Sequence, residues 1–333
     1  MDKINISGVT LSDPSIATTL AGIPLDTCIM NASGCWCTTG EELDQVARTS
    51  AGAIVGKSCT INPRLGNEKP RLYVEQIHYQ YISINSMGIP NMGSKFYIEY
   101  QPPVEKPFIR SIYPFTTCEM TIMLNDIDAF LPAQEGTQHC KLVEINLSCP
   151  NLPTISTSPS LFEKMSMYFD ALSQTRLDST LVGFKLAPLY DHSDFQAVAD
   201  LLLRCDKARF ITCSNSITNG LMIDYVNETT RIRPKDGLGG IGGMCMKPTA
   251  LANVYNFHRL LGNKIDIIGC GGCMCDIDVF EHILCGAKAV QVGTLLMQQG
   301  PGCLDWLCTG LKYRMSVKKY RHIEEFRGKL KVI

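Results

Sequence analysis

The sequence has no strongly basic stretch: 31 lysines and arginines stand against 32 aspartates and glutamates, for a formal net charge of −1 over 333 residues. Nothing in that balance could follow a phosphate backbone, so nucleic acid is not an expected partner. Long apolar runs are also missing; none approaches the ~20 residues of a membrane span. The opening residues Met1-Asp-Lys-Ile-Asn-Ile-Ser-Gly8 carry no signal-peptide apolar region. The expected setting is therefore cytoplasmic, with no membrane contact. No histidine-rich segment stands near the C-x-C pairs Cys35/Cys37 and Cys273/Cys275. Zinc ligands usually come as C-x(2–4)-C pairs, so no metal is expected. Cysteine is the one surplus, at 16 residues in a chain that is 45% hydrophobic and 19% charged. A chain this long can bury a substantial core without staples, and these cysteines read as reduced thiols.

Short apolar runs recur at 28–32, 52–56, 107–112, 142–146, 181–185, 208–214, 264–269 and 288–292, most of them followed by a segment of helical period. Length alone suggests about two domains. An α/β barrel, however, commonly runs to ~250 residues or more as one domain. Eight strand-like runs with helices between them predict a (β/α)8 TIM barrel over residues 20–333 after an arm at 1–19, with an open doubly wound sheet as the runner-up. Helix starts are legible in the capping boxes Thr39-x-x-Glu42, Ser160-x-x-Glu163 and Ser193-x-x-Gln196, and in Pro248; Gly262 and Gly286 suit helix ends. Phe195, Val198, Ala199 and Leu202 fall on one helical face. The connections 58–105 and 215–247 are too long for turns, and loops of that length usually cover a site.

In a barrel, catalytic groups sit just past the C-terminal ends of strands. The second run ends in Lys57-Ser58, the fourth in Asn146 with Cys149 beyond, the fifth in Lys185 and the sixth in Asn215-Ser216. A lysine that closes an apolar strand needs a partner in the barrel mouth. The seventh run ends Gly269-Cys270-Gly271-Gly272 and the eighth Gly293-Thr294, a glycine arrangement that offers backbone N–H groups to a phosphate. Ser83-Ile-Asn-Ser-Met-Gly-Ile-Pro-Asn91 adds polar amides within the first long connection. Cys149 stands in a turn between amide side chains and before Pro150, where a thiol would be held on a stiffened loop.

These residues together resemble the dihydroorotate dehydrogenases, FMN enzymes of pyrimidine synthesis, and most closely the soluble class 1A branch. The resemblance runs from about Leu20 to Gly300. It rests on Asn31-Ala-Ser-Gly34, Lys57-Ser58, Ile84-Asn-Ser-Met-Gly-Ile-Pro-Asn91, Glu144-Ile-Asn-Leu-Ser-Cys-Pro-Asn151, Thr212-Cys-Ser-Asn-Ser-Ile-Thr-Asn-Gly220, Gly239-Gly-Ile-Gly-Gly243, Ile268-Gly-Cys-Gly-Gly272 and Gln291-Val-Gly-Thr294. The resemblance implies that Gly243, Gly271, Gly272, Gly293 and Thr294 hold the FMN phosphate, with Cys270 also against the cofactor. Ala32, Ser33, Gly34, Lys57, Ser58, Asn146 and Lys185 would edge its ring. Dihydroorotate would be bound by Lys57, Asn85, Met87, Gly88, Ile89, Asn146, Asn151, Asn215 and Ser216. Cys149 would take the C5 proton while the C6 hydride passes to FMN, with Lys57, Asn146 and Lys185 completing the catalytic group.

Cysteine as base, and only about twenty residues ahead of the first matched segment, disfavour the membrane-associated class 2. Class 1A implies fumarate as electron acceptor and a homodimer. A class 1B catalytic subunit passing electrons to NAD, a related FMN pyrimidine reductase, and a regulatory FMN- or phosphate-binding barrel are the competing readings. The chain departs from the family pattern at Thr27-Cys28, at Glu68-Lys69, in the third strand with Arg110 and Tyr113-Pro114, and at 153–159; His78-Tyr-Gln-Tyr81 looks inserted. Arg110, inside a barrel strand, calls for a partner.

Overall fold

The computed structural model describes residues 13–130, 141–147 and 161–333. Cys149 lies outside these residues, as do Ser148, Pro150, Asn151, the 153–159 segment and the capping residue Ser160.

Eight parallel strands make one sheet: β1 (Ile29–Asn31), β2 (Ile54–Val55), β3 (Phe108–Ile112), β4 (Lys141–Asn146), β5 (Thr180–Leu186), β6 (Ala208–Cys213), β7 (Asp266–Cys270) and β8 (Ala289–Val292). Each falls within or over one of the eight apolar runs. Neighbours pair in chain order from β2 through to β8, and β8 pairs with β1. The seam between β1 and β2 is short, a parallel bridge between Met30 and Ala53. The Asn31 side chain reinforces it: its Nδ2 donates to Val55 O at 2.7 Å and its Oδ1 accepts from Val55 N at 2.8 Å. That closure makes the sheet a barrel and excludes the open-sheet alternative.

Around it lie α1 (Gly40–Ala47), α2 (Ser94–Glu99), α3 (Thr117–Ala129), α4 (Leu161–Gln174), α5 (His192–Arg204), α6 (Lys247–Leu261), α7 (Asp276–Cys285), α8 (Thr294–Gln299) and α9 (Cys303–Val317). The Thr39/Glu42 capping box forms, Pro248 lies in the first turn of α6, and Gly262 and Gly286 terminate α6 and α7. Phe195, Val198, Ala199 and Leu202 are the buried face of α5. That helix is capped two residues earlier than the expected Ser193. Asp191 is its last extended residue, and the N–H groups of Asp194 and Phe195 already bond to the Asp191 carbonyl.

Strand side chains alternate between faces, and the interior face changes character along each strand. It passes from Val55 to Lys57, Ile109 to Ser111, Leu142 to Glu144 and Asn146, Leu181 to Lys185, Phe210 to Thr212, and Ala289 to Gln291. The lower interior is an apolar plug shared by Met30, Val55, Ile109, Leu142, Phe210 and Ile268. Gly183 makes room for it, since a Cβ there would fall 2.3 Å from the Phe210 ring. An antiparallel hairpin, Thr18–Leu20 with Ile23–Leu25, closes the bottom. The expected boundary between the arm and the barrel at 19/20 therefore runs through this hairpin. Leu20 and Leu25 are buried against the plug. Leu20→Ala is expected to cost about 2–5 kcal/mol, read as a lower urea midpoint with an unchanged slope; an unchanged midpoint would separate the hairpin from barrel stability.

The two long connections are not simple loops. Leu72–Ile77, Gln80–Asn85, Leu238–Gly243 and Ile217–Leu221 form a four-stranded antiparallel sheet over the barrel mouth. Asn85 stands opposite Gly240, and Ser83 opposite Gly242. The apparent insertion at 78–81 supplies the hairpin turn, with His78 in the left-handed region at φ 56°. Arg110 finds its partner in backbone and rings. It points outward, its Nη2 donates to Ile98 O at 3.1 Å near the end of α2, and its guanidinium lies 5.2 Å from the Phe108 ring centroid. Burial lowers its pKa to about 10.

Candidate active site

The polar upper interior and the four-stranded sheet enclose one cleft of about 1130 Å³ including its open mouth. Its floor is a hydrogen-bonded layer. Glu144, fully buried, accepts from Thr212 Oγ1 at 2.7 Å, Gln291 Nε2 at 2.8 Å and Ser111 Oγ at 3.3 Å. Lys185 Nζ donates to Gln291 Oε1 at 3.0 Å. Ser58 lies 2.9 Å from Ser111 Oγ and accepts from Asn146 Nδ2 at 3.1 Å, and Asn215 Nδ2 reaches Asn146 Oδ1 at 3.4 Å.

Two lysines rise through this floor. Burial opposes the Lys185 ammonium, but Cys270, Glu144 and Cys35 outweigh it and raise its pKa. Lys57 is only 8% exposed and has no hydrogen-bond or ion-pair partner among the described residues. Its ammonium lines the cleft, where it can meet an anionic ligand.

Thiols line the same cleft. Burial pushes Cys35 up to about 11 against the lowering influence of Lys57, and it also raises Cys270 and Cys273. All three are therefore protonated at neutral pH and are poor proton acceptors.

One end of the cleft is built of glycines. Gly243, Gly271 and Gly272 have φ of 83°, 124° and 78°. A Cβ on Gly243 would fall 2.1 Å from Tyr81 O, and one on Gly272 2.3 Å from Lys247 Cβ. Ser83 Oγ and Thr294 Oγ1, 3.0 Å apart, tie the upper sheet to the start of α8 beside Gly293. The 271–275 turn hangs from α7: Asp278 Oδ2 accepts from the N–H groups of Met274 and Cys275 at 2.7 and 2.9 Å, and Lys247 pairs with Asp278 at 2.6 Å. His282 Nε2 lies 2.9 Å from the Gly271 carbonyl. A carbonyl only accepts, so that nitrogen carries the proton. Burial lowers the His282 pKa and keeps the ring neutral.

The fold brings the sequence candidates together. Ala32, Ser33, Gly34, Lys57, Ser58, Asn85, Met87, Ile89, Asn146, Lys185, Asn215 and Ser216 line the cleft, as do Gly243, Cys270, Gly271, Gly272, Gly293 and Thr294. Gly88 is set back from it: a Cβ there would fall 2.2 Å from Asn67 Oδ1, so this glycine permits close packing beneath the 85–91 loop. Asn67 and Arg71 hold that loop, through Asn67 Nδ2 to Ser86 O at 2.9 Å and Ser86 N to Arg71 O at 2.8 Å. Cys149 and Asn151 lie outside the described residues.

Sequence reading missed Ser83, Glu144, Thr212 and Gln291 as site residues. Glu144, Thr212 and Gln291 are polar residues on the interior phase of otherwise apolar barrel strands, which alternation along those strands would have found; Ser83 lies on the sheet over the mouth and is placed only by its pairing. Among the described residues, no group of three or more His, Cys, Asp or Glu is placed to hold a metal, and no helix is long and apolar enough to cross a membrane.

Comparison with known proteins adds the lineage. A family model described as dihydroorotate dehydrogenase matches residues 15–315. The curated probable dihydroorotate dehydrogenase A (fumarate) of Enterococcus faecalis is 42% identical, over 95% of this chain and 99% of its own length. The dihydroorotate dehydrogenase (fumarate) of Trypanosoma cruzi is 41% identical, over 91% and 94%. The fold matches the solved structure of a dihydroorotate dehydrogenase from Eimeria tenella with a TM-score of 0.73 at 16% identity, covering 94% of this chain and 88% of that one. With the family model spanning nearly the whole barrel and full-length relatives at this level of identity, the chain belongs to the dihydroorotate dehydrogenase family.

Proposed function

We propose that the chain oxidises dihydroorotate to orotate in pyrimidine synthesis, with FMN as cofactor and fumarate as electron acceptor. One observation carries this reading: two lysines share the cleft floor, and among the described residues only Lys185 is linked to a carboxylate, through Gln291 and Glu144. Lys57 leaves a positive charge for a ligand to meet, which suits an anionic substrate and charge that builds during reduction. The curated relatives named for fumarate support the choice of acceptor.

The residues also fit FMN. A Cβ on Gly242 would lie 2.7 Å from Ser83 Oγ and 3.2 Å from Thr294 Oγ1, so its absence keeps that hydroxyl pair open to a phosphate. Gly243, Gly271, Gly272, Gly293 and Thr294 would hold the phosphate, and Ala32, Ser33, Gly34, Ser58, Asn146, Lys185 and Cys270 the ring. Bound FMN would supply a two-electron acceptor for the substrate hydride. Asn85, Asn146, Asn215 and Ser216 would bind the pyrimidine carbonyl and N–H groups without a competing charge. Cys149 would accept the C5 proton, and Asn151 would contact the pyrimidine. Homodimerisation belongs to the same reading.

The test is anaerobic. The purified protein should be yellow, bleach with dihydroorotate and regain colour with fumarate. Recovery only with another oxidant would overturn the acceptor, and failure to bleach would overturn the substrate. The glycine end gives a second expectation. His282→Phe removes the donor to Gly271 O and should raise the FMN dissociation constant about tenfold, on the order of 1.4 kcal/mol. Fluorescence titration of the apoprotein reads this directly; unchanged affinity would mean that Asp278 alone holds the turn.

A further inference from the structure

Glu144 touches neither end of the cleft, yet the floor is arranged around it. It is fully buried on β4, and each partner donates to it: Thr212 and Gln291 to Oε2, Ser111 to Oε1. Packing alone does not call for a carboxylate at the centre of a barrel, where an apolar side chain is often as stable. What distinguishes this one is its link to the cleft. The Gln291 amide is used at both ends, its nitrogen toward Glu144 and its oxygen toward Lys185 Nζ, so its orientation is fixed and one charge is coupled to the other.

We propose that Glu144 is a positioning residue that, through Gln291 and Lys185, sets how strongly the cleft favours the reduced form of the cofactor. The inference rests on the proposed FMN reading. Glu144 offsets one of the two floor cations, and in a buried layer that offset is little screened by salt. Removing its charge leaves both lysines uncompensated beneath the ligand. The cleft then prefers whichever form is more negative, which is the reduced one.

Glu144→Gln tests this with little change of shape. The amide oxygen can keep the bonds from Thr212 and Gln291, while its nitrogen meets the Ser111 hydroxyl, which can accept as well as donate. FMN should bind, and the reduced form should bind at least tenfold more tightly relative to the oxidised form than in the wild type. For a two-electron couple this raises the midpoint potential by about 30 mV, measured by anaerobic reductive titration against a reference dye. Thr212→Val removes a donor and no charge, and should leave the potential in place. Glu144→Met combined with Thr212→Val removes the same charge together with one of its donors and should also raise the potential, which carries the test if Glu144→Gln does not fold. Wild-type potential in folded, FMN-loaded Glu144→Gln would overturn the proposal, as would an unshifted or lowered potential in the Glu144→Met/Thr212→Val protein. A wild type that takes up no FMN would instead overturn the function proposed above.

Discussion

Lys57→Met is expected to lower kcat/KM for dihydroorotate by about 10²–10³-fold, the usual scale for losing one preorganised charge-stabilising group. Lys57 is 8% exposed, and its ammonium lines the cleft with no hydrogen-bond or ion-pair partner among the described residues. Its charge is therefore available to a ligand rather than spent inside the fold. Methionine fills similar space without the charge and should leave the thermal midpoint of the apoprotein little changed. Steady-state kinetics and a melting curve on the apoprotein check both halves. Full turnover would remove Lys57 from the chemistry. A clearly lower midpoint would give Lys57 a structural role instead.

Cys149→Ala should leave a yellow protein whose turnover near neutral pH falls by about 10²–10⁴-fold, the range for removing a general base. Among the described residues, the thiols of the cleft offer no ready substitute. Cys35 is pushed up to about 11 by burial, and burial raises Cys270 and Cys273 too, so these thiols stay protonated where the reaction needs a base. Cys149→Ser should recover activity only as pH rises, because a hydroxyl gives up its proton far less readily than a thiol. Stopped-flow bleaching by dihydroorotate isolates the step. Near wild-type bleaching in the alanine variant would assign the proton to another group.

The barrel was legible because each of its eight strands carries its apolar residues in one short run, and Lys57, Asn146 and Lys185 close such runs where solvent should begin. The floor was not. Glu144 and Gln291 are 147 residues apart, Ser83 and Thr294 are 211 apart, and each looks like an isolated polar residue until closure brings the strands together. The connections 58–105 and 215–247 read as covering loops from their length, and in the second the glycines of Leu238–Gly243 give little strand propensity of their own. Pairing with Gln80–Asn85, whose Ile82 and Ile84 alternate with Ser83 and Asn85, makes it a strand. Gly88 was assigned to ligand by its place in a motif; its positive φ and the closeness of Asn67 also require glycine there for packing.

The pairing of Asn85 with Gly240 spans 155 residues, and that separation bears on biosynthesis. A growing chain completes the Leu72–Asn85 hairpin long before Leu238–Gly243 leaves the ribosome, and β1 waits longer still for β8. Until then the hairpin presents an unpaired edge, a template for wrong partners. Contacts so distant in sequence close late, so the cleft should be the last part of the molecule to form during synthesis. Substitutions that weaken the Gln80–Asn85 strand should then show themselves first as poor yield of soluble protein, with the molecules that do mature turning over normally.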